Sequence, residues 1–127
     1  MSKKKISIIT PCSNEEDSIE ECYSKVKEIF DNELNDFQYE HIFADNYSTD
    51  KTISILKKIA SQDKNIKIIL NSRNFGVFRS TFNAIKKSSG DAVIPKLDAD
   101  LQDPPKLIID FIKHWKEGFK VIAGRRN

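Results

Sequence analysis

The residues best suited to chemistry form an acidic segment in the last third of the chain. Asp98 and Asp100 flank a single residue, and two carboxylates this close together cannot both stay ionised cheaply without a cation beside them. Gln102 adds a neutral oxygen two residues later. Such oxygen ligands suit Mg²⁺ or Mn²⁺, which keep coordination positions open for water and for a diphosphate. The same acids could instead cap a helix or lie solvated in a loop, and Asp103 is expected to be a helix cap rather than a ligand.

Other familiar catalytic patterns are missing from the sequence. Neither G-x-G-x-x-G nor G-x-x-x-x-G-K-[ST] is present, which disfavours dinucleotide dehydrogenases and P-loop nucleotidases. His41 and His114 show no zinc-ligand spacing and are expected to be ordinary packed or surface residues. Cys22 falls on the apolar side of a predicted helix, and Cys12 has no obvious base beside it. Neither cysteine is therefore predicted to be a nucleophile.

The elements that must position these residues are short apolar runs alternating with amphipathic helical segments. Five runs with many β-branched residues are short enough to be strands buried on both faces. They lie at residues 6–10, 41–44, 66–70, 92 onward and 119–123. Four predicted helices complete a strict alternation, which implies an α/β fold with a mostly parallel sheet flanked by helices on both faces. Ligands bind beyond the carboxyl ends of such strands, so the functional site is expected there and not at the opposite, lysine-rich edge.

Local signals predict several element ends. Ser13 and Glu16 have the spacing of a capping box for the first helix, and one of residues 48–50 can cap the second. Gly90 is typical of the left-handed residue that follows a helix, here the third. Pro95 cannot donate a ladder hydrogen bond, so the fourth strand is expected to carry a bulge or to end early.

Length, charge and cysteine content limit the classes of protein that the chain can belong to. The 127 residues are predicted to form one domain, residues 1–127, that needs no disulfide or metal to fold. Lys+Arg 21 against Asp+Glu 19 leaves a net charge of +2, too little to argue for a nucleic-acid partner. Two cysteines exclude a disulfide framework and fit a reducing cytosol. The sequence shows neither a membrane-spanning apolar stretch nor a signal peptide.

Four motifs in chain order resemble those of glycosyltransferase family 2, in particular its dolichol-phosphate-mannose-synthase-like, membrane-polysaccharide branch. They are an opening strand with a P-x-x-N-E exit (residues 6–16), a turn similar to D-D-x-S-x-D-x-T (45–52), a segment with R-N-x-G (72–76), and a stretch from Gly90 and Asp91 to D-x-D with its D-L-Q-D-P-P extension (90–105). The resemblance runs from Ile6 to Arg126. The sequence departs from the family pattern where Asn46 stands in place of a second aspartate and Ser13 in place of an aromatic residue.

The resemblance implies the GT-A fold, of which this chain would be the Rossmann-like nucleotide-binding half. It implies metal-dependent, inverting transfer of a sugar from a UDP-, GDP- or dTDP-sugar. Asp45 would hold the base of the nucleotide, and Asp100 would bind the metal. The full set implied for the nucleotide sugar is Pro11, Ser13, Glu15, Asp45, Asp98 and Ala99, and that for Mg²⁺ or Mn²⁺ is Asp98, Asp100 and Gln102.

In this family the acceptor half and the usual catalytic base lie further along the chain. The sequence is therefore expected to be the donor-binding half of a longer enzyme, with any general base beyond Asn127. The acceptor would be a lipid phosphate or a saccharide in cell-envelope glycan synthesis, and segments absent here would hold the enzyme at the cytoplasmic face of the membrane. A nucleotide-sugar-binding fragment without turnover is the alternative. A flavodoxin-like receiver is disfavoured, because the last predicted strand ends in Arg125 and Arg126 rather than in a lysine.

Overall fold

The computed structural model describes residues 4–71, 83–94, 97 and 107–116 of the chain. Strands and helices alternate in this order: β1 (Lys5–Cys12), α1 (Ile19–Asn32), β2 (Gln38–Asn46), α2 (Thr52–Gln62), β3 (Ile66–Asn71), α3 (residues 83–87), β4 (Ala92–Ile94) and α4 (Leu107–Lys116). The predicted α/β alternation is confirmed over these residues. The predicted fifth strand, and the predicted beginnings of the third and fourth helices, lie outside them.

The described strands form one parallel sheet in the order β3-β2-β1-β4. Its two inner strands, β1 and β2, are buried over most of their length, as their near-continuous apolar sequence predicts. The strand order reverses at β1, which has β2 on one side and β4 on the other. In an open α/β sheet the crevice at such a reversal is where ligands bind.

Helices cover both faces of the sheet, as the sequence predicts. On one face, Ile8 of β1 and Phe43 of β2 belong to the larger core cluster, to which α1, α2 and α4 also contribute. On the other face, Ile9 and Ile42 pack with Ala84 of α3 in a smaller cluster. Complete burial of each large aliphatic side chain stabilises the fold by roughly 1.5–3 kcal/mol, so these layers hold the strand ends in place.

The amino edge of the sheet is held by a buried carboxylate that the sequence did not single out. Glu40 of β2 has a side chain only 2% exposed, and it pairs with Lys67 of β3 at 3.2 Å and with Lys5 of β1 at 3.4 Å. The same carboxylate accepts the Ser89 hydroxyl at 2.7 Å and the Ser89 N–H at 3.3 Å, from the segment before β4. One side chain therefore links β1, β2, β3 and the approach to β4.

Two of the predicted element ends are wrong. The helix α1 begins at Ile19, and the Ser13 hydroxyl donates to the carbonyl of Asn46 at 3.4 Å instead of capping it. Gly90 does not take a left-handed backbone conformation. Glycine is needed there for close packing, because a Cβ would lie 2.7 Å from the backbone nitrogen of Ser7, well inside van der Waals contact.

The pairing of β4 with β1 is interrupted where the proline predicts it. The N–H of Asp91 donates to the carbonyl of Lys5, and by the register of the ladder the residue at position 95 would serve the carbonyl of Ile9. Proline has no N–H, and Leu97 donates to that carbonyl instead, at 2.8 Å. The next described bond to β1 therefore comes from a residue two positions later than the register predicts, immediately before the acidic segment.

Candidate functional site

The exits of β1 and β2 lie side by side at the carboxyl edge of the sheet. Cys12 at the end of β1 is in register with Asp45 near the end of β2. The predicted pocket residues Pro11, Ser13 and Glu15 belong to the first exit, and Asp45 begins the second. The structure therefore brings these four residues to adjacent chain exits, beside the point where the strand order reverses.

Asn14 joins the two exit loops. Its backbone has φ 53, in the left-handed region that asparagine tolerates better than most residues. In this conformation its side-chain Oδ1 accepts the N–H of Thr49 at 2.8 Å and the N–H of Asp50 at 3.2 Å. Its own N–H donates to the Ser48 hydroxyl at 2.9 Å. One residue of the β1 exit thus satisfies three groups of the β2 exit.

Asp50 and Thr52 of the β2 exit accept hydrogen bonds from the β1 exit in turn. Asp50 accepts the N–H of Glu16 at 3.2 Å and the N–H of Thr52 at 2.9 Å, and the Thr52 hydroxyl accepts the N–H of Glu15 at 2.9 Å. Burial alone would raise the pKa of Asp50, but its hydrogen bonds from Thr52 and Glu16 outweigh this and lower it. Of residues 48–50, Asp50 is the one whose carboxylate reaches the first turn of α2. We call this two-way network, Asn14 with residues 48–52, the loop clasp.

Asp45 is buried beneath the loop clasp. The side chain has no exposed surface, and its carboxylate accepts the N–H of Ser48 at 3.0 Å and also the Ser48 hydroxyl. The Cys12 thiol lies 3.8 Å from the same carboxylate. Burial, together with the nearby Asp45 and Glu15 carboxylates, raises the pKa of Cys12 far above its ordinary value, so Cys12 is a neutral thiol. Contact between Asp45 and a nucleotide base stays a prediction, and in this structure Asp45 instead fixes the loop that follows it.

The predicted metal ligands Asp98, Asp100 and Gln102, together with Ala99, lie outside the described residues. Leu97, immediately before them, is held to β1 by its bond to the carbonyl of Ile9. Within residues 4–71, 83–94, 97 and 107–116, no group of three or more histidine, cysteine or acidic side chains is arranged to hold a metal ion. In the same part of the chain, no helix is long and apolar enough to cross a membrane.

Sequence reasoning missed the loop clasp and the residue that it presents. By residue type and spacing, Asn14 is only the asparagine of the P-x-x-N-E motif, and Ser48 is a motif residue and a possible helix cap. Tyr47 received no role, although an aromatic residue among short polar ones in a strand exit is a signal that could have drawn attention. The structure places Tyr47 at φ 61 with 54% of its surface exposed.

The curated proteins most similar in sequence to this chain include several that are named as glycosyltransferases. The Uncharacterized glycosyltransferase YkcC of Bacillus subtilis is 40% identical over 120 residues, which are 94% of this chain and 36% of that protein. The Bactoprenol glucosyl transferase of Shigella phage SfV is 37% identical over 123 residues, 97% of this chain and 39% of that protein. The chain thus spans well under half the length of these curated relatives.

Solved structures with the same fold include two that hold a nucleotide. S. aureus TarS 1-349 in complex with UDP is 25% identical, has a TM-score of 0.66 and is matched over 87% of this chain and 32% of TarS. The mannosyltransferase PcManGT from Pyrobaculum calidifontis, in complex with GDP-Man and Mn²⁺, is 23% identical with a TM-score of 0.65, over 82% of this chain and 34% of that protein. At 23% identity, the likeness to PcManGT shows only that the two proteins share a fold.

The family itself is settled by a match that spans almost the whole sequence. The family profile described as Glycosyl transferase family 2 matches residues 7–127. This range includes both exit loops, the loop clasp and the acidic segment after β4. The α/β sheet with its GT-A structural neighbours agrees with that match. The chain therefore belongs to glycosyl transferase family 2.

Proposed function

We propose that this chain is the donor-binding half of an inverting, metal-dependent glycosyltransferase, forming one domain over residues 1–127. Its donor would be a nucleotide diphospho-sugar carrying UDP, GDP or dTDP. The observation that carries the proposal is the clasped pair of exit loops at the carboxyl edge, beside the reversal of strand order. The UDP bound by TarS and the GDP-Man bound by PcManGT support a donor of this chemical class.

In this proposal the nucleoside lies against the β1 and β2 exits, contacting Pro11, Ser13 and Glu15. Asp45 acts by holding the β2 exit in place, since its carboxylate is already occupied by Ser48. The diphosphate lies further along the edge, toward Asp98 and Ala99 in the segment that follows β4. A ligand that crosses β1 in this way uses the crevice that the reversal of strand order creates.

The donor set of Asp98, Asp100 and Gln102 fits a hard divalent cation, because all three side chains offer oxygen and none offers sulfur or nitrogen as its natural ligand atom. When bound, Mg²⁺ or Mn²⁺ supplies positive charge that stabilises the leaving diphosphate more in the transition state than in the ground state. PcManGT was solved with Mn²⁺, which supports this class of cation.

The acceptor that we propose is a lipid phosphate, and a saccharide is the second possibility. A bactoprenol glucosyl transferase among the relatives supports a lipid acceptor. A lipid phosphate oxygen is already anionic, so its attack on the anomeric carbon needs no general base from the chain, and none is assigned among these residues. The longer enzyme would work at the cytoplasmic face of a membrane, held there by segments outside this sequence.

A titration of the 127-residue chain tests the donor site. We expect UDP, GDP or dTDP to raise the melting temperature with Mn²⁺ present, as a ligand of the native state must. Asp100→Ala should remove the part of that rise that depends on Mn²⁺, whereas Asp103→Asn, in the same segment but assigned as a helix cap, should keep it. An identical Mn²⁺-dependent rise in both variants would exclude Asp100 from the metal site.

The alternative, a binding fragment without turnover, is separated from an enzyme by a second measurement. A radiolabelled nucleotide sugar is incubated with the chain and Mn²⁺, and the release of free sugar is followed. Slow release that Asp100→Ala abolishes indicates that the donor half retains chemistry of its own. Binding without any release assigns this chain to donor recognition alone.

A further inference from the structure

Tyr47 is the one aromatic side chain that the described part of the carboxyl edge presents to solvent. More than half of its surface, 54%, is exposed. Its backbone is left-handed, with φ 61, a conformation that is unfavourable for a residue with a bulky side chain and costs glycine nothing. A strained position with this much exposed ring is not explained by core packing, and strain of this kind concentrates at ligand-binding sites.

The residues on both sides of Tyr47 are hydrogen-bonded, and these bonds fix the backbone from which its side chain extends. The carbonyl of Asn46 accepts the Ser13 hydroxyl at 3.4 Å. The Ser48 hydroxyl accepts the N–H of Asn14 at 2.9 Å, and the Ser48 N–H donates to Asp45 at 3.0 Å. The residues on both sides of the tyrosine are thus bonded to the β1 exit.

We propose that Tyr47 is the stacking surface for the base of the donor nucleotide, an inference that rests on the donor-binding function proposed above. Every nucleobase has a flat π face, and an exposed aromatic ring is the protein group that matches it. Strand order decides which end of the donor meets the ring. The ends of β2 and β4 lie on opposite sides of β1, about 10 Å apart at the usual spacing of strands. Because the diphosphate lies on the β4 side, the base lies on the β2 side, where Tyr47 stands.

Three variants of the 127-residue chain separate stacking from apolar contact and from backbone strain. Tyr47→Phe keeps an aromatic face, Tyr47→Leu keeps apolar area without one, and Tyr47→Gly removes both while accepting the left-handed backbone. Calorimetric titrations with UDP and GDP, and with inorganic pyrophosphate as a ligand without a base, are made in the presence of Mn²⁺. Melting temperatures are measured for each variant.

We expect Tyr47→Leu and Tyr47→Gly to bind the nucleoside diphosphates about tenfold more weakly, the scale of one base–aromatic stack. Tyr47→Phe should stay within about twofold of the parent chain, since it keeps the ring. Pyrophosphate affinity should be the same in all four proteins. The melting temperature of Tyr47→Gly should not fall, because the change relieves the left-handed strain. A residue with only a structural role would lower affinity and melting temperature together.

Other outcomes overturn the inference, and they distinguish it from the function on which it rests. If the parent chain and Tyr47→Leu bind the nucleoside diphosphates equally, Tyr47 does not stack on the base, and the donor site stands. If the variants lose pyrophosphate affinity as well, the substitution has disturbed the loop, and stacking is excluded. If the parent chain binds no nucleoside diphosphate with or without Mn²⁺, the proposed function itself fails, and this inference fails with it.

Discussion

Acidification from pH 7.5 to pH 5 should lower the free energy of unfolding by about 2 kcal/mol through a single buried histidine. His41 of β2 is fully buried, and its ring lies 4.0 Å from the ring of Phe43. Its Nε2 is 2.7 Å from the Thr10 hydroxyl, while its Nδ1 has no hydrogen-bond partner among the residues that the structure describes. A proton on this ring would therefore place an unsolvated charge in the core.

The magnitude follows from the pKa of His41 in the two states. Burial lowers this pKa from 6.5 to about 3 in the folded chain, whereas the unfolded chain keeps the ordinary value. Below pH 6.5 the unfolded state takes up a proton that the folded state refuses, so stability falls as the pH drops toward 3. With these values the loss is about 2 kcal/mol at pH 5 and approaches about 5 kcal/mol below pH 3.

The assay is urea unfolding followed by Trp115 fluorescence at pH 7.5, 6 and 5, for the parent chain and for His41→Gln. The amide of glutamine does not titrate, so the variant should be less stable at pH 7.5 yet lose much less stability on acidification. Glu40 and Asp50, whose pKa values are lowered, protonate below this window and do not interfere. Parallel losses in the two proteins would show that His41 is not the titrating group, and the burial argument would fail.

Three further changes test features of the sheet and of its exit loops. Glu40→Gln should lower the free energy of unfolding by about 2 kcal/mol, since its charged hydrogen bonds become neutral ones. The control Lys27→Gln removes an exposed ion pair with Asp31 and should change the free energy of unfolding by less than about 0.5 kcal/mol. Urea unfolding measures both changes. Gly90→Ala should cost about 1–3 kcal/mol by overpacking against Ser7, measured as a fall in melting temperature, and a stability equal to that of the parent chain would contradict the close approach. Asn14→Ala should expose the N–H groups of residues 49 and 50 to rapid hydrogen exchange, whereas Asn14→Asp, which keeps an acceptor, should leave them protected; fast exchange in both variants would refute the role given to the side-chain oxygen.

Much of the fold could be predicted because its signals are local and repeated. The β-branched runs around Ile8 and Ile42 predict buried parallel strands, and the missing N–H of Pro95 predicts the interrupted pairing with β1. The motifs also predict the family, which the match over residues 7–127 confirms. Such features depend on residue type and on spacing along the chain, which the sequence displays directly.

The remaining features depend on contacts between distant segments. Nothing near Gly90 in the sequence shows that Ser7 packs against it, so residue type and position alone predict a conformational role for this glycine. Glu40 looks like an ordinary charged residue until the strand order brings Lys5 and Lys67 to it. The two wrong assignments, the Ser13 cap and the left-handed Gly90, both concern residues that contact a distant segment of the chain.

The loop clasp has a consequence for how this site can change over time or be re-engineered. Because Asn14 is bonded to residues 48–50 and Asp50 is bonded back to the β1 exit, neither loop carries its conformation alone. A graft that transfers one exit from a relative with a different donor would lose partners on both sides. The two loops depend on each other for their conformation, so swaps between family members should exchange them as a pair.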